Sequence, residues 1–588
     1  MSAIDRAKEM IVQGRLKPAE DLLRRTLASQ PGNVDALSCM VYLLLQSGML
    51  VQARHFAERA ASLAPHDPLV LGNLCAVLHA VGNMQQVIHV GMQALQSDPA
   101  AVSVREKVAM ALIHLGRFDE AGRLAEAHPG GVGVDPVLLM RWATALARLG
   151  RAHQASPSLL AAMDRYPDNV DLAVVACSIA HYHQHEPHGV HALHVRYREA
   201  VSATLPPTPT LPRASAADPL RVGLLSADLR GHPVALFIEP LLIHLDRARF
   251  EMHCFMIGVE DAVSARLRPL TKHWQGLSVL GGLSAAQIAQ RIREAHIDVL
   301  IELGGHTQAS GLPVVCGRAA PVQIGYCGYT HRTGAPNMDG RVVDHWTDPP
   351  ELDPAPEDPE RLIRLPRCFL CFQPPETSAA PPPVWPGDGP LVFGCFNDLA
   401  KLGPASIDLF SAALHACPTS RLLIKAGPLE HAAHRQWVLD SFAARGVAAE
   451  RLELLGRTSS HADHLAVYGR VHVALDPFPY HGTTTTCEAL LMGVPVLSLA
   501  GRAHASRVGV SLLHQVGLAD LSVTSPEAFA ARAAELDADR PRLQSLRAGL
   551  RARLLASPLC DGPGFAAAFG DMLLGLCRPV APASGGGQ

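Results

Sequence analysis

Four consecutive threonines, Thr483 to Thr486, follow Gly482 in the segment Asp476-Pro-Phe-Pro-Tyr-His-Gly-Thr-Thr-Thr-Thr-Cys-Glu-Ala-Leu490. An apolar strand ends at Asp476, a proline-rich turn follows, and a helix opens on the threonines. That order gathers backbone N–H groups, the positive end of a helix and side-chain hydroxyls at one place. The matching chemistry is phosphate binding without a Walker lysine. The plainer alternative is a threonine-rich cap that only starts a helix. His232, in Ser226-Ala-Asp-Leu-Arg-Gly-His-Pro233, is of the type that takes a proton from an attacking hydroxyl near neutral pH, and it could equally cap the turn before Pro233.

Three further groupings bear on metal or redox chemistry. His181, His183, His185, His188, His191 and His194 crowd one stretch, and His188, His191 and His194 could share a helix face. The only carboxylate within that stretch is Glu186, beside Pro187, and the chain holds 30 histidines, so clusters arise readily and no metal is expected. Cys368-Phe-Leu-Cys371 lacks a second pair and sits in an apolar, strand-like run, so core packing is the better reading. Asp537-Ala-Asp539, flanked by arginine, reads as a solvated helix end.

The elements that must position these residues begin with repeats. Gly14, Gly48, Gly82, Gly116 and Gly150 recur every 34 residues, as do Pro31, Pro65 and Pro99, then Pro167 after a gap at Gly133. Ala19, Ala53, Ala121 and Ala155 hold the same phase, with Val87 at the missing place. This is the period of a tetratricopeptide repeat: glycine closes the first helix, alanine permits close contact and proline ends the second. Stacked repeats form a superhelix whose concave face binds extended peptide or protein. Leu205-Pro-Pro-Thr-Pro-Thr-Leu-Pro212 then reads as an extended linker. Beyond it, strands at Arg221–Asp228, Asp298–His306, Leu391–Phe396, Leu422–Lys425, Leu452–Leu455 and Val471–Asp476 alternate with helical stretches, which implies parallel sheets with ligand at the carboxyl ends of the strands. The expected division is a repeat superhelix at 1–200, a linker at 201–218, one Rossmann-like domain at 219–373, a proline-rich linker at 374–390, a second at 391–575, and a disordered tail at 576–588.

Composition limits the classes of function. With 48% hydrophobic and 18% charged residues over 588, the chain is too apolar to be mainly disordered. Lys+Arg of 51 against Asp+Glu of 54 gives no basic surplus for nucleic-acid binding. No apolar run reaches the roughly 18 residues of a membrane span. The 13 scattered cysteines fit a reducing compartment, and charges near the N-terminus replace the apolar stretch of a signal peptide, so a cytoplasmic protein is expected.

Six segments in order carry a likeness: Ser226–Pro233, Glu302-Leu-Gly-Gly-His-Thr307, Pro321-Val-Gln-Ile-Gly-Tyr-Cys-Gly-Tyr-Thr330, Phe396-Asn-Asp-Leu-Ala-Lys401, Asp476–Leu490 and Gly501-Arg-Ala-His-Ala-Ser-Arg507. Behind such repeats, they resemble the O-GlcNAc transferase family, with its SPINDLY-type plant and bacterial relatives. The resemblance implies an α-superhelix of repeats followed by a GT-B glycosyltransferase of two Rossmann-like domains. It implies an inverting, metal-independent transfer of a sugar, foremost GlcNAc from UDP-GlcNAc, to Ser/Thr of proteins guided by the repeats. By the same likeness Lys401 would bind the diphosphate and stabilise the leaving nucleotide, helped by Thr483, Thr484 and Thr485. His464 would meet the base, Glu488 the ribose or sugar hydroxyls, and His232 would face sugar and acceptor. Gly328 and Thr330 would lie near the sugar, and His306 matches the bacterial and plant branches. Thr483 stands where animal members carry histidine, Ala400 where an aromatic is common, and Tyr480 where a smaller residue is found. These edge the sugar pocket, so another donor such as GDP-fucose is the alternative, beside a repeat scaffold with a weakly active nucleotide-binding half. Neither nucleic acid nor membrane is an expected partner, and no cofactor is called for.

Overall fold

The computed structural model describes residues 2–13, 15–126, 136–184, 186–212, 219–277, 283–374 and 384–577. Gly14, Gly133, His185 and the tail from 578 lie outside the described residues. The chain divides into two compact units, one of residues up to Leu146 with 157–162, the other of 147–156 and everything from Met163 onward.

The first unit is helical: Ala3–Val12, Leu16–Ser29, Val34–Gln46, Leu50–Leu63, Pro68–Ala80, Met84–Ser97, Val102–His114, Phe118–Glu126 and most of Pro136–Ala147. The 34-residue series is explained by backbone and packing. Gly48, Gly82, Gly116 and Gly150 all adopt φ between +70° and +79°, the left-handed conformation that closes a helix and that a Cβ disfavours. Ala19, Ala53, Val87, Ala121 and Ala155 have no exposed surface, and Pro31, Pro65, Pro99 and Pro167 each stand two residues past a helix end.

The second unit holds two all-parallel sheets. Strands Leu220–Ser226 (β1), Phe250–Met256 (β2), His273–Gly276 (β3), Val299–Glu302 (β4), Val322–Gly325 (β5), Gly340–Asp344 (β6) and Arg361–Leu365 (β7) lie in the order β3-β2-β1-β4-β5-β6-β7. Strands Val392–Cys395 (β8), Arg421–Lys425 (β9), Leu452–Leu455 (β10), Val473–Leu475 (β11), Val496–Leu499 (β12) and Ser522–Val523 (β13) lie in the order β10-β9-β8-β11-β12-β13. Both orders reverse direction once, at β1/β4 and at β8/β11. Such a reversal opens a crevice beyond the carboxyl ends of the strands, where open α/β sheets bind ligands.

Two expected boundaries are corrected. Residues 163–202 belong with the sheets rather than with the repeats, because helix Pro187–Ser202 is bonded into the first one. His194 Nε2 lies 2.8 Å from the Tyr329 hydroxyl, and Arg198 forks onto both oxygens of Asp358 at 3.0 Å. The linker expected from 201 therefore begins after Ser202. The last helix, Gly562–Cys577, extends past the expected end at 575 and packs on helix Pro233–His244 of the first sheet's layer. Phe565 and Phe569 are fully buried, Phe569 edge-on to Tyr326, and any side chain at Gly570 would press on Phe250. Cys368 and Cys371 are buried free thiols in irregular backbone, and Asp539 caps helix Arg540–Leu555.

Candidate active site

Lys401 ends a short turn after β8 that Asp398 fixes by accepting the Ala400 N–H at 2.9 Å. Its Nζ donates to the His481 carbonyl at 3.0 Å and stands 3.7 Å from the centre of the Tyr480 ring. No carboxylate lies within ion-pair distance of it among the described residues. Burial pushes its pKa down from 10.5 to about 8, with Asp476 and Asp398 opposing the shift. Ser406 joins this turn to the threonine segment: its hydroxyl lies 2.7 Å from the Lys401 carbonyl and accepts the Phe478 N–H at 2.9 Å. A repeat glycine buttresses the same turn, since a Cβ on Gly150 would fall 2.4 Å from the Leu402 carbonyl oxygen.

The threonine segment is built on Asp476, buried at the end of β11. Its carboxylate accepts the Gly482 N–H at 2.9 Å and the Ser498 hydroxyl at 2.7 Å. His481 donates from Nε2 to the Leu499 carbonyl and accepts the Gly509 N–H at Nδ1, each at 3.0 Å, which fixes it neutral. Helix Thr484–Leu491 then begins with no side chain capping it, although Thr483 occupies the cap position. Thr485 gives its hydroxyl proton to Asn397 at 2.9 Å and Thr486 gives its to the Gly482 carbonyl at 3.2 Å. The Thr484 hydroxyl is buried without a partner. An uncapped N-terminus, an unsatisfied hydroxyl and an ammonium without a counter-ion suit an anionic ligand.

Glu488, one turn into that helix, is buried and accepts from His464 Nε2 at 3.1 Å. Lys425, at the carboxyl end of β9, reaches the other nitrogen of His464 at 2.8 Å. An ammonium only donates, so Nδ1 of His464 accepts and Nε2 carries the proton given to Glu488. Phe396 and Tyr468 stand edge-on to the His464 ring and His461 stacks on it. Lys425 and Asn397 had no assigned part in the sequence. The available signal was their position, because both follow parallel strands at the carboxyl end.

In the first sheet, His232 caps helix Pro233–His244 by accepting the Val234 N–H at Nδ1, 3.3 Å away. The neutral ring therefore keeps its proton on Nε2. Burial lowers its pKa below 6.5, while Asp228, 3.8 Å from Nδ1, opposes that shift. Accepting a further proton at Nε2 requires the other to move to Nδ1, giving up the cap and drawing on Asp228. Gly328 is a close-approach position after β5, where a Cβ would lie 1.8 Å from the Leu303 carbonyl oxygen. Thr330 is buried with its hydroxyl unpartnered. His306 is fully buried, its Nε2 held by the Thr333 carbonyl at 2.6 Å and its ring against His194, Tyr197 and Tyr329. It is thus packed against helix Pro187–Ser202 rather than bonded to the groups around Lys401. His188 is exposed and His191 faces Asp358 at 3.9 Å while His194 turns inward, so the three histidines of that helix do not converge.

Lys401, following β8, and helix Thr484–Leu491, following β11 and carrying Glu488 bonded to His464, thus flank the β8/β11 reversal. His232 and Gly328 stand at the carboxyl ends of β1 and β5. The loop after β12 links the two sheets: Arg507 donates to the Trp346 carbonyl at 2.9 Å, and His504 meets Asp348 at 2.5 Å and Arg341 at 3.1 Å.

The family model described as glycosyl transferase family 41 matches residues 206–373 and 385–568. The SPINDLY proteins of Arabidopsis thaliana and Oryza sativa subsp. japonica, each named a probable UDP-N-acetylglucosamine–peptide N-acetylglucosaminyltransferase, are 37% and 38% identical over 371 and 372 residues. These alignments cover 62% of this chain and 40% of each relative, so the chain spans well under half the length of the plant proteins. A solved structure of a mutant O-GlcNAc transferase from Thermobaculum terrenum superposes with a TM-score of 0.72 at 30% identity, covering 92% of this chain and 98% of that one.

Proposed function

Because the chain belongs to glycosyltransferase family 41, we propose that it transfers a sugar, foremost GlcNAc from UDP-GlcNAc, to serine and threonine hydroxyls of proteins. The observation that carries this reading is the Lys401 ammonium, held without a carboxylate partner beside the uncapped helix at Thr484. The proposed reaction is one displacement with inversion. The acceptor oxygen bonds to the anomeric carbon as its bond to the diphosphate breaks, and the nucleotide leaves with the electron pair. Charge grows on the leaving phosphate, so a nearby ammonium and helix N-terminus stabilise the transition state more than the ground state. Thr483, Thr484 and Thr485 would hold the phosphates without a divalent metal.

His464, oriented by Lys425 and Glu488, would meet the base, while Glu488 would meet hydroxyls of the donor. His232 would face the acceptor, giving a hydrogen bond from Nε2 in the ground state and taking the hydroxyl proton as the cap is released. The repeats would guide the acceptor polypeptide. No helix among the described residues is long and apolar enough to cross a membrane. The test is calorimetric titration with UDP, UDP-GlcNAc, GDP and GDP-fucose, followed by transfer to a protein acceptor. Micromolar binding of UDP and transfer from UDP-GlcNAc are expected. Binding and transfer restricted to the guanosine donor would replace the donor, and binding of none would sink the reading.

A further inference from the structure

Cys177 lies on helix Val170–Ala180, His194 on helix Pro187–Ser202, and His306 just beyond β4. One potential ligand atom from each lies within 4.8 Å of the other two, and all three residues are buried. We propose that Cys177, His194 and His306 form a metal site for a thiophilic closed-shell ion, zinc(II) or copper(I), fastening helices Val170–Ala180 and Pro187–Ser202 to the first sheet.

The hydrogen bonds leave each imidazole one free lone pair, on the same nitrogen. A carbonyl only accepts, so the 2.6 Å contact to Thr333 places the proton of His306 on Nε2 and the lone pair on Nδ1. That Nδ1 is buried with no hydrogen-bond partner, which a native interior explains by a bound water or ion. The Tyr329 hydroxyl spends its one proton on the Cys177 carbonyl at 3.0 Å. His194 must therefore donate from Nε2 to the phenol oxygen at 2.8 Å, which again leaves Nδ1 with the lone pair. Each ring is oriented by a bond at Nε2, the nitrogen across the ring from its free lone pair, as outer partners orient metal-binding histidines.

Both histidines are neutral, the ligand form, because burial holds their pKa values below the ordinary 6.5. Burial raises the Cys177 thiol, so the thiolate forms only with the ion, and binding releases one proton: thiol plus metal gives metal thiolate plus H⁺. Thiolate and imidazole are the donor set of zinc and copper(I) rather than of magnesium or calcium. One thiolate and two neutral imidazoles leave copper(I) with no net charge to bury, while zinc(II) leaves one positive charge. None of the three residues bonds the groups around Lys401, so the site fastens the fold and takes no part in sugar transfer.

The test is the metal content of the full chain purified after growth with added zinc or added copper. About one equivalent of one of them is expected, falling below about 0.1 in Cys177→Ala and in His306→Ala while Lys401→Met keeps it. Wild-type protein with less than about 0.2 equivalents of either ion from both growths overturns the proposal, as does a full equivalent retained by folded Cys177→Ala. Should the variants fail to fold, X-ray absorption of the loaded wild type decides. Sulfur beside imidazole nitrogen in the first shell supports the site, and a shell without sulfur overturns it.

Discussion

Replacing Lys401 by methionine keeps most of the side chain's length and apolar stem but removes its charge. Two effects of opposite sign follow. Holding the ammonium charged at neutral pH, with its pKa near 8 instead of 10.5, costs the fold about 3 kcal/mol at 1.36 kcal/mol per unit. The Tyr480 ring at 3.7 Å returns about 1 kcal/mol of that. The methionine variant should therefore be as stable as the wild type or more so, by up to about 2 kcal/mol, as when a residue serves chemistry at the expense of folding. Transfer should behave oppositely. A charge acting on the departing phosphate is worth a few kcal/mol of barrier, about 100-fold or more in rate. The assay pairs melting temperature with initial rates of GlcNAc transfer at saturating donor, and Lys401→Ala should repeat the rate loss. A variant within a few-fold of wild-type rate would refute the role of the ammonium. A marked fall in melting temperature would refute the account of its burial.

The remaining predictions concern pH, metal, the repeat glycines and the repeats themselves. Lys401 is charged below about pH 8 in the free protein, so UDP affinity should hold to that point and then fall toward tenfold per unit; calorimetry showing flat affinity to about pH 9.5 would remove Lys401 from the phosphate site. Brief EDTA treatment should leave UDP binding and transfer unchanged, and loss rescued by magnesium or manganese would place a metal at the phosphates. Gly48→Ala meets nothing within 4 Å and should cost only the left-handed strain of about 1 kcal/mol, whereas Gly150→Ala drives into the Leu402 carbonyl and should cost more and weaken UDP binding. Equal losses of stability in the two, with unchanged UDP affinity, would separate Gly150 from the Lys401 turn. Removing residues 1–146, with folding confirmed by a melting curve, should leave UDP binding nearly unchanged while transfer to protein collapses, and undiminished transfer would give the repeats another partner.

Features governed by local backbone chemistry are legible in the sequence. The glycine series announced itself because Gly48, Gly82, Gly116 and Gly150 take a positive φ, and the threonine helix because proline, glycine and hydroxyl residues mark where a strand turns into a helix. What escaped reading depends on chain segments meeting in space. Lys425 touches His464 across 39 residues, and Asn397 meets Thr485 across 88. The proline run at 205–212 suggested that the repeats end there, whereas the contacts of His194, Tyr197 and Arg198 move the division back before Met163. Among the clustered histidines, helix spacing pointed to His188 and His191 as companions of His194. Its actual neighbour is His306, more than a hundred positions later.

The return of helix Gly562–Cys577 to the first sheet sets a timetable for biosynthesis. Helix Pro233–His244 and Phe250 leave the ribosome about 320 residues before the segment that covers them. At about 5–20 residues per second the apolar surface awaiting Phe565 and Phe569 stays open for roughly 15 to 60 s on each nascent chain. The first sheet can order its strands in that interval but cannot close its core, so its final folding waits for helix Gly562–Cys577 to emerge. Chaperone engagement in this molecule should therefore concentrate on the surface around Phe237, Phe250 and Tyr326, and a chain cut before Phe565 would leave that surface open for good.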